Sequence, residues 1–344
     1  SNVDGLHEAF RQCGAMGLIQ TSSANCNIFY RGPGVFNMAG TTIPGRTFNA
    51  PNSIRVWAIP GSSVVWVPSA NTEMMRIYGE ISGIDIDFSN RNPTGYGIVV
   101  SSAGRILKST VRGTQSAGNI FKVENTTTGS RIELDMYDIK GAAVNDAATK
   151  KSPPVLIDGA KNTVLKLRTN DISNGAATTS GLMSIYQSTG ITFEDCEFLN
   201  VGGTFIAIDG GNESVRFIRT KWVITQAVHV NGLIQFYTVV NSPSLLGFST
   251  NCAIMDNVFE AFQAATIIKI NDNGNASAFG DTWITGNVVR NYSGGTVTFA
   301  NPTSGSRNTV LSNNKTDYLT TLITDSGAGT AYTGNDNFKS NTEQ

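Results

Sequence analysis

The chain has 344 residues, with 25 Lys and Arg against 26 Asp and Glu, so its net charge of -1 leaves no basic footprint for nucleic acid. Only 15% of residues are charged, yet 40% are hydrophobic and 17 are Phe, which excludes a disordered chain. No apolar run approaches the ~18 residues of a membrane span, so no membrane insertion is expected. Gly, Ser, Thr and Asn are dense throughout, as in a chain of short strands separated by polar turns.

The first predicted element is a short helix over residues 4–14. Asp4 can cap it, Leu6, Ala9, Phe10 and Cys13 share one face, and Gly14 ends it. Strands follow in residues 27–36, around Pro33-Gly34, and at 54–56, before Pro60-Gly61. Residues 1–52 are therefore read as a capping helix with lead-in strands, and residues 53–344 as one continuous domain. The chain starts on Ser without a leader pattern, which reads either as a segment of a longer product or as a residual cloning sequence. Cys13, Cys26, Cys196 and Cys252 lack metal-ligand spacing; a Cys13–Cys26 disulfide and buried free thiols both stay open.

From about residue 80 a frame of inward residues recurs. Ile191, Phe193, Cys196 and Phe198 alternate around a two-residue turn, and so do Cys252, Ile254, Asn257 and Phe259. Leu165/Leu167/Asn170/Ile172, Ile132/Leu134/Tyr137/Ile139 and Thr282/Ile284/Asn287/Val289 fit the same frame. Its second apolar position falls at Ile81, Ile106, Leu134, Leu167, Phe193, Phe217, Ile254, Ile284, Val310 and Tyr332, a mean step of about 28 residues. A further apolar strand lies between successive anchors, for example Phe121/Val123, Val155/Ile157, Met183/Ile185 and Ile268/Ile270. No helical stripe runs between them. A unit that cannot bury its apolar face alone, repeated at a fixed period, stacks. The expected fold is all-β: a single-stranded right-handed parallel β-helix of about ten rungs with a short N-terminal capping helix.

The fourth frame position is Asn170, Asn257, Asn287, Asn313 and Asn335, with Cys196 and Thr220 between them. Stacked inward amides would satisfy one another from rung to rung. Asn is also simply common at turns.

The helix, strand and Pro-Gly plan of residues 4–61, followed by rungs to about residue 338, resembles the pectate-lyase-like β-helix proteins. Within that group the Ser/Thr/Asn/Gly-rich, weakly charged chain is most similar to the central domain of bacteriophage tailspikes. That resemblance implies a homotrimer on a virion tail that binds, and usually cleaves, a bacterial surface polysaccharide. The polygalacturonase-type paired aspartates with Gly-His-Gly and Arg-Ile-Lys are absent, as are a P-loop, a nucleophile elbow and a metal-ligand cluster. No cofactor and no metal are expected.

Glycoside hydrolysis needs two carboxyls about 5–5.5 Å apart for retention, or about 6.5–9.5 Å for inversion. Rungs spaced ~4.8 Å offer such separations between neighbours along an outward column. The residue after each second strand forms one: Glu124, Asp158, Tyr186, Asp209, Tyr237 and Asn271. In the enzymatic reading Asp158 and Asp209 are the acid and base, with Glu124 a spare partner for Asp158. Tyr186, Tyr237 and Trp222 would bind sugar. In the alternative, Asp158-Gly159 and Asp209-Gly210 are ordinary turn dipeptides. Lys221 and Arg219 would suit a lyase, or simply face solvent. Residues 141–153, 225–231 and 239–251 lengthen the period, as binding loops or by drift. A depolymerase, a receptor-binding module and a structural spacer are the competing functions.

Overall fold

The structure, a computed structural model, describes residues 8–9, 12, 26–38, 41–43, 54–69, 73–89, 96–113, 120–124, 129–139, 142–143, 153–170, 180–208, 211–237, 249–271, 281–302, 309–317, 320–323, 330–333 and 335–338. Most of the expected lid lies outside them; Glu8, Ala9 and Gln12 are helical.

Short strands alternate inward apolar and outward polar residues, and in the two large sheets they pair in parallel with strands about one period away. One example is Phe193↔Phe217↔Ile254↔Ile284. The described strands make a 21-stranded sheet, an 11-stranded sheet and a two-stranded pair of Ala142–Ala143 with Ser180–Gly181. The larger sheet is two ladders meeting at a corner, spanned by Arg105–Arg112 with a bulge at Lys108 and without a break by Arg131–Tyr137 and Lys161–Asn170. The 11-stranded sheet is the third wall. The chain is a parallel β-helix, and its side chains fill one continuous apolar column.

Stacking starts two rungs before Ile81, since Ile28 lies opposite Val56 and Val56 opposite Ile81. The frame holds over most of the chain but slips in three places. Ile132 and Leu165, not Leu134 and Leu167, stand in the Ile106–Phe193 column, and Leu311 replaces Val310. Arg131–Tyr137 and Lys161–Asn170 alternate for longer than one frame, so their apolar residues fit two offsets. Near residue 310 two apolar residues are adjacent, and the turn decides between them. Asp195, Arg219, Asp256, Gly286 and Asn313 all have positive φ, and the residue after each points inward.

The amide ladder exists, with corrected membership. Asn287 Oδ1 accepts from the backbone N–H and Nδ2 of Asn257, each at 2.9 Å. Asn314 Oδ1 accepts from Asn287 N at 3.1 Å, and Asn335 Oδ1 from Asn314 N at 3.1 Å. Asn313 is the exposed turn residue before Asn314. Asn170 is exposed and bonds Asn200 instead. In this column Cys196 Sγ accepts from Leu167 N at 3.3 Å, and burial pushes its thiol up to about 12. Cys196 and Cys252 are free and buried, whereas Cys26 is disulfide-bonded; Cys13 lies outside the described residues.

A second polar ladder lines the corner between the third wall and the first ladder. Ala160 N donates to Ser188 Oγ at 3.1 Å, Ser188 N to Asn212 Oδ1 at 3.0 Å, and Asn212 N to Ser249 Oγ at 3.3 Å. Gly159, at φ 65, makes the turn into it. The Asp158-Gly159 dipeptide is therefore turn chemistry as well as part of the candidate column.

Candidate functional site

Strands Phe121–Glu124, Val155–Asp158 and Met183–Tyr186 bury their first and third residues in the core and aim the second and fourth outward. Their register sets Glu124 opposite Asp158 and Asp158 opposite Tyr186, on three successive rungs ~4.8 Å apart. The predicted column is thus assembled over its first half. Asp209 lies outside the described residues. Tyr237 is described at its backbone only, opposite Asn271.

The fold brings a set of groups to this column that the sequence did not mark. Lys122, two residues before Glu124 and on the same face, places Nζ 2.8 Å from Glu124 and 3.5 Å from Asp158. Arg76, on strand Met75–Ile77, pairs with Glu124 and with Glu73, the latter at 2.8 Å, and donates to Ser101 Oγ at 3.3 Å. Burial pushes the Glu124 carboxyl up, but hydrogen bonds from Lys122 and Arg76 outweigh it and hold it below the usual range. Tyr96 lies close enough that Tyr186 and Asp158 add to the burial that raises its phenol. The Tyr96 hydroxyl is buried with no hydrogen-bond partner among the described residues.

Two expected sugar contacts are placed differently. Trp222 is fully buried: alternation along Lys221–Val228 turns Lys221 outward and Trp222 into the core. There it packs between Phe198, at 4.5 Å, and Phe259, at 5.6 Å and 17°. An indole in that stack cannot reach a ligand. Tyr186 faces away from the core yet is only 3% exposed, so its ring is not an open stacking platform. Leu156, Ser184, Ala207 and Gln235 on the same face are buried too. The middle rungs of this wall are shut off from solvent on their outer side, which no strand pattern announces.

The groups considered for elimination chemistry lie elsewhere. Arg219 pairs with Glu194 and, at 2.8 Å, with Asp195, and Lys221 lies 3.4 Å from Glu260. Among the described residues no His, Cys, Asp and Glu group is placed as metal ligands.

A cleft of about 580 Å³ opens on the corner between the first two ladders, lined by Lys108, Glu133, Asp135, Lys166, Arg168 and Asp195 among others. A signal for it was present in the sequence. Charged residues recur at alternate positions of two consecutive strands, at Arg131, Glu133 and Asp135 and at Lys166 and Arg168.

Fold and site together define a parallel β-helix with a charged outward column and a separate charged cleft. The PL6 family polysaccharide lyase Pedsa3628 from Pseudopedobacter saltans has this fold; it is 9% identical, with a TM-score of 0.53 over 96% of this chain and 91% of the lyase. Two structures of PfbA, a surface adhesin of Streptococcus pneumoniae, are 11% and 12% identical. Their TM-scores are 0.46 and 0.45, over 82% and 91% of this chain and 81% and 89% of theirs. No family model and no curated sequence matches the chain.

Proposed function

We propose that the chain is a tailspike-type β-helix that binds a bacterial surface polysaccharide and hydrolyses it at the Glu124–Asp158 column, as a homotrimer on a virion tail. One observation carries this reading. Glu124, Asp158, Lys122 and Arg76 form a partly buried charge network on an outward wall whose stacking requires no charge. Desolvating such groups is costly, so their concentration at one spot marks function before stability.

The roles follow from the partners. Glu124, held ionised by two cations, suits the nucleophile of a retaining mechanism. Asp158, one rung (~4.8 Å) away, suits the acid and base. The alternative inverting pair, Asp158 with Asp209, is separated by the same experiment.

That experiment is reducing-end release from purified capsule and O-antigen polysaccharides, with the ultraviolet absorbance of an unsaturated product followed in parallel. Reducing ends without absorbance are expected, and Asp158→Asn should lower release by at least about 100-fold. A matching loss in Glu124→Gln selects the retaining pair; a matching loss in Asp209→Asn selects the inverting pair. Absorbance rising with the reducing ends overturns hydrolysis. Binding of a host glycan without any release leaves a receptor-binding module. Sedimentation should give three times 36.6 kDa, and a monomeric mass overturns the trimer.

A further inference from the structure

We propose that Phe262 and Tyr292 form a stacking platform at one end of an uncharged strip on the second ladder, and that the strip binds a neutral polysaccharide through its pyranose rings. The proposal rests on the reading of the chain as a glycan-binding protein, but not on the chemistry assigned to the Glu124–Asp158 column.

Register builds the strip. Phe262 follows strand Val258–Ala261, Tyr292 follows strand Val288–Asn291, and both residues continue the outward alternation of their strands. Ala261 lies opposite Asn291, and Tyr292 N donates to the Ala261 carbonyl at 2.7 Å. The two rings therefore meet, with centroids 5.0 Å apart and planes 26° from parallel. One rung earlier Ile224 lies opposite Ala261, and Phe262 N donates to the Ile224 carbonyl at 2.8 Å, which makes Thr225 the neighbour of Phe262. Thr225 Oγ1 donates to Asn200 Oδ1 at 3.3 Å, and Asn200 Nδ2 to Asn170 Oδ1 at 3.0 Å. Asn170, Asn200, Thr225, Phe262 and Tyr292 thus follow one another over five rungs, about 19 Å along the helix axis.

The platform is accessible and held in place. Phe262 is 44% exposed and Tyr292 54%, although each covers one face of the other. The remaining face of Phe262 looks along the strip toward Thr225, which is too short to cover a phenyl ring. A ligand ring can continue the stack there. Tyr292 is positioned by the turn after it, where Asn291 Oδ1 accepts from Ser293 N at 2.9 Å and Asn291 Nδ2 donates to the Gly295 carbonyl at 2.9 Å. A ring fixed before binding loses little freedom on contact.

The chemistry of the strip selects the ligand. A pyranose carries apolar C–H faces and a rim of hydroxyls; the aromatic face matches the first, and the amides and hydroxyl of Asn170, Asn200 and Thr225 match the second. No member of the strip is charged. The charged residues beside it on the same ladder pair with one another: Arg168 with Glu197 at 3.0 Å, and Lys221 and Arg290 with Glu260, each at 3.4 Å. A charged ligand meets no unmatched partner among them. A second copy of the chain fits less well, because two rings of at most about 250 Å² each fall short of the ~800 Å² that each side of a stable protein interface buries.

The test uses the full chain and calorimetry with β-1,4-linked hexaoses of glucose, mannose and N-acetylglucosamine. At least one should bind, and the Phe262→Ala/Tyr292→Ala double variant should weaken that binding by about tenfold or more. Thr225→Tyr should weaken it as much by placing a third ring where the sugar would stack; it removes no ring, so its loss cannot come from lost aromatic packing. Asp158→Asn should leave the affinity unaltered. Loss in Asp158→Asn with none in the double variant would move the glycan to the acid column, which overturns the strip and keeps the glycan-binding reading. Failure of all three hexaoses to bind, or wild-type affinity in the double variant or in Thr225→Tyr, also overturns the proposal. So does a change of sedimenting mass in the double variant, which would make this face an interface between copies.

Discussion

Asn257 shows how one side chain can hold four backbone and amide groups of the interior. Its Nδ2 donates to the carbonyls of Phe217 and Met255, each at 3.0 Å, and to Asn287 Oδ1, while its Oδ1 accepts from Thr220 N at 2.9 Å. Removing it leaves buried donors and acceptors with no water to replace the partner, at ~1–3 kcal/mol each. Asn257→Ala should therefore destabilise by at least about 3 kcal/mol in urea unfolding, whereas the exposed Asn313 tolerates glycine, which keeps its positive φ. A loss below about 1 kcal/mol at Asn257 would refute a supporting ladder. Glu124 gives a pH signature. Its folded pKa is depressed, so its stabilisation is present above its unfolded value of about 4.3 and fades as pH falls through the lower folded value. Thermal melts of Glu124→Gln should converge on the wild type in acid, diverge as pH rises through the depressed folded value, and differ fully above about pH 4.3.

At the scale of elements, alternation along a strand decides which of two tryptophans matters. Trp222 is enclosed by aromatic rings, and truncating it opens a large cavity, so Trp222→Ala should cost about 3–5 kcal/mol. Trp283, one residue before inward Ile284, is 39% exposed, and Trp283→Ala should shift stability far less, within about 0.5 kcal/mol. Equal losses in chemical denaturation would mean that this alternation is misassigned. Sequence periodicity predicts the inward face of Cys252–Met255 and Thr282–Thr285 because one apolar frame and one turn residue agree there. It misplaces Leu134, Leu167 and Val310 because a longer or doubled apolar run fits two offsets; the ladder register decides the first two and the left-handed turn at Asn313 the third. The polar ladder of Ser188, Asn212 and Ser249 stayed hidden for a related reason: Ser and Asn at turns look alike whether they face solvent or stack inward.

For the whole molecule, each rung's backbone pairs only with its neighbours, so stability is largely a sum of local terms and not one cooperative quantity. The Cys26 disulfide sits at one end of such a stack. Reduction should lower hydrogen-exchange protection in Cys26–Tyr30 and in Ile54–Ala58 beside it, and leave Cys252–Met255 unchanged. Protection lost evenly along the chain would instead indicate a single cooperative unit. The sequence by itself determined the parallel stack, its period, and the alignment of Glu124, Asp158 and Tyr186, because strand alternation and a repeating frame are local properties of the chain. Only the tertiary structure decided that Trp222 belongs to the core, that Tyr186 is shut off from solvent, and that Arg76 reaches Glu124 from two rungs away. It also decided that a cleft opens at the corner crossed by Arg131–Tyr137 and Lys161–Asn170. Those outcomes depend on which residues meet across rungs, and contacts between chain segments tens of residues apart leave no periodic trace in the sequence.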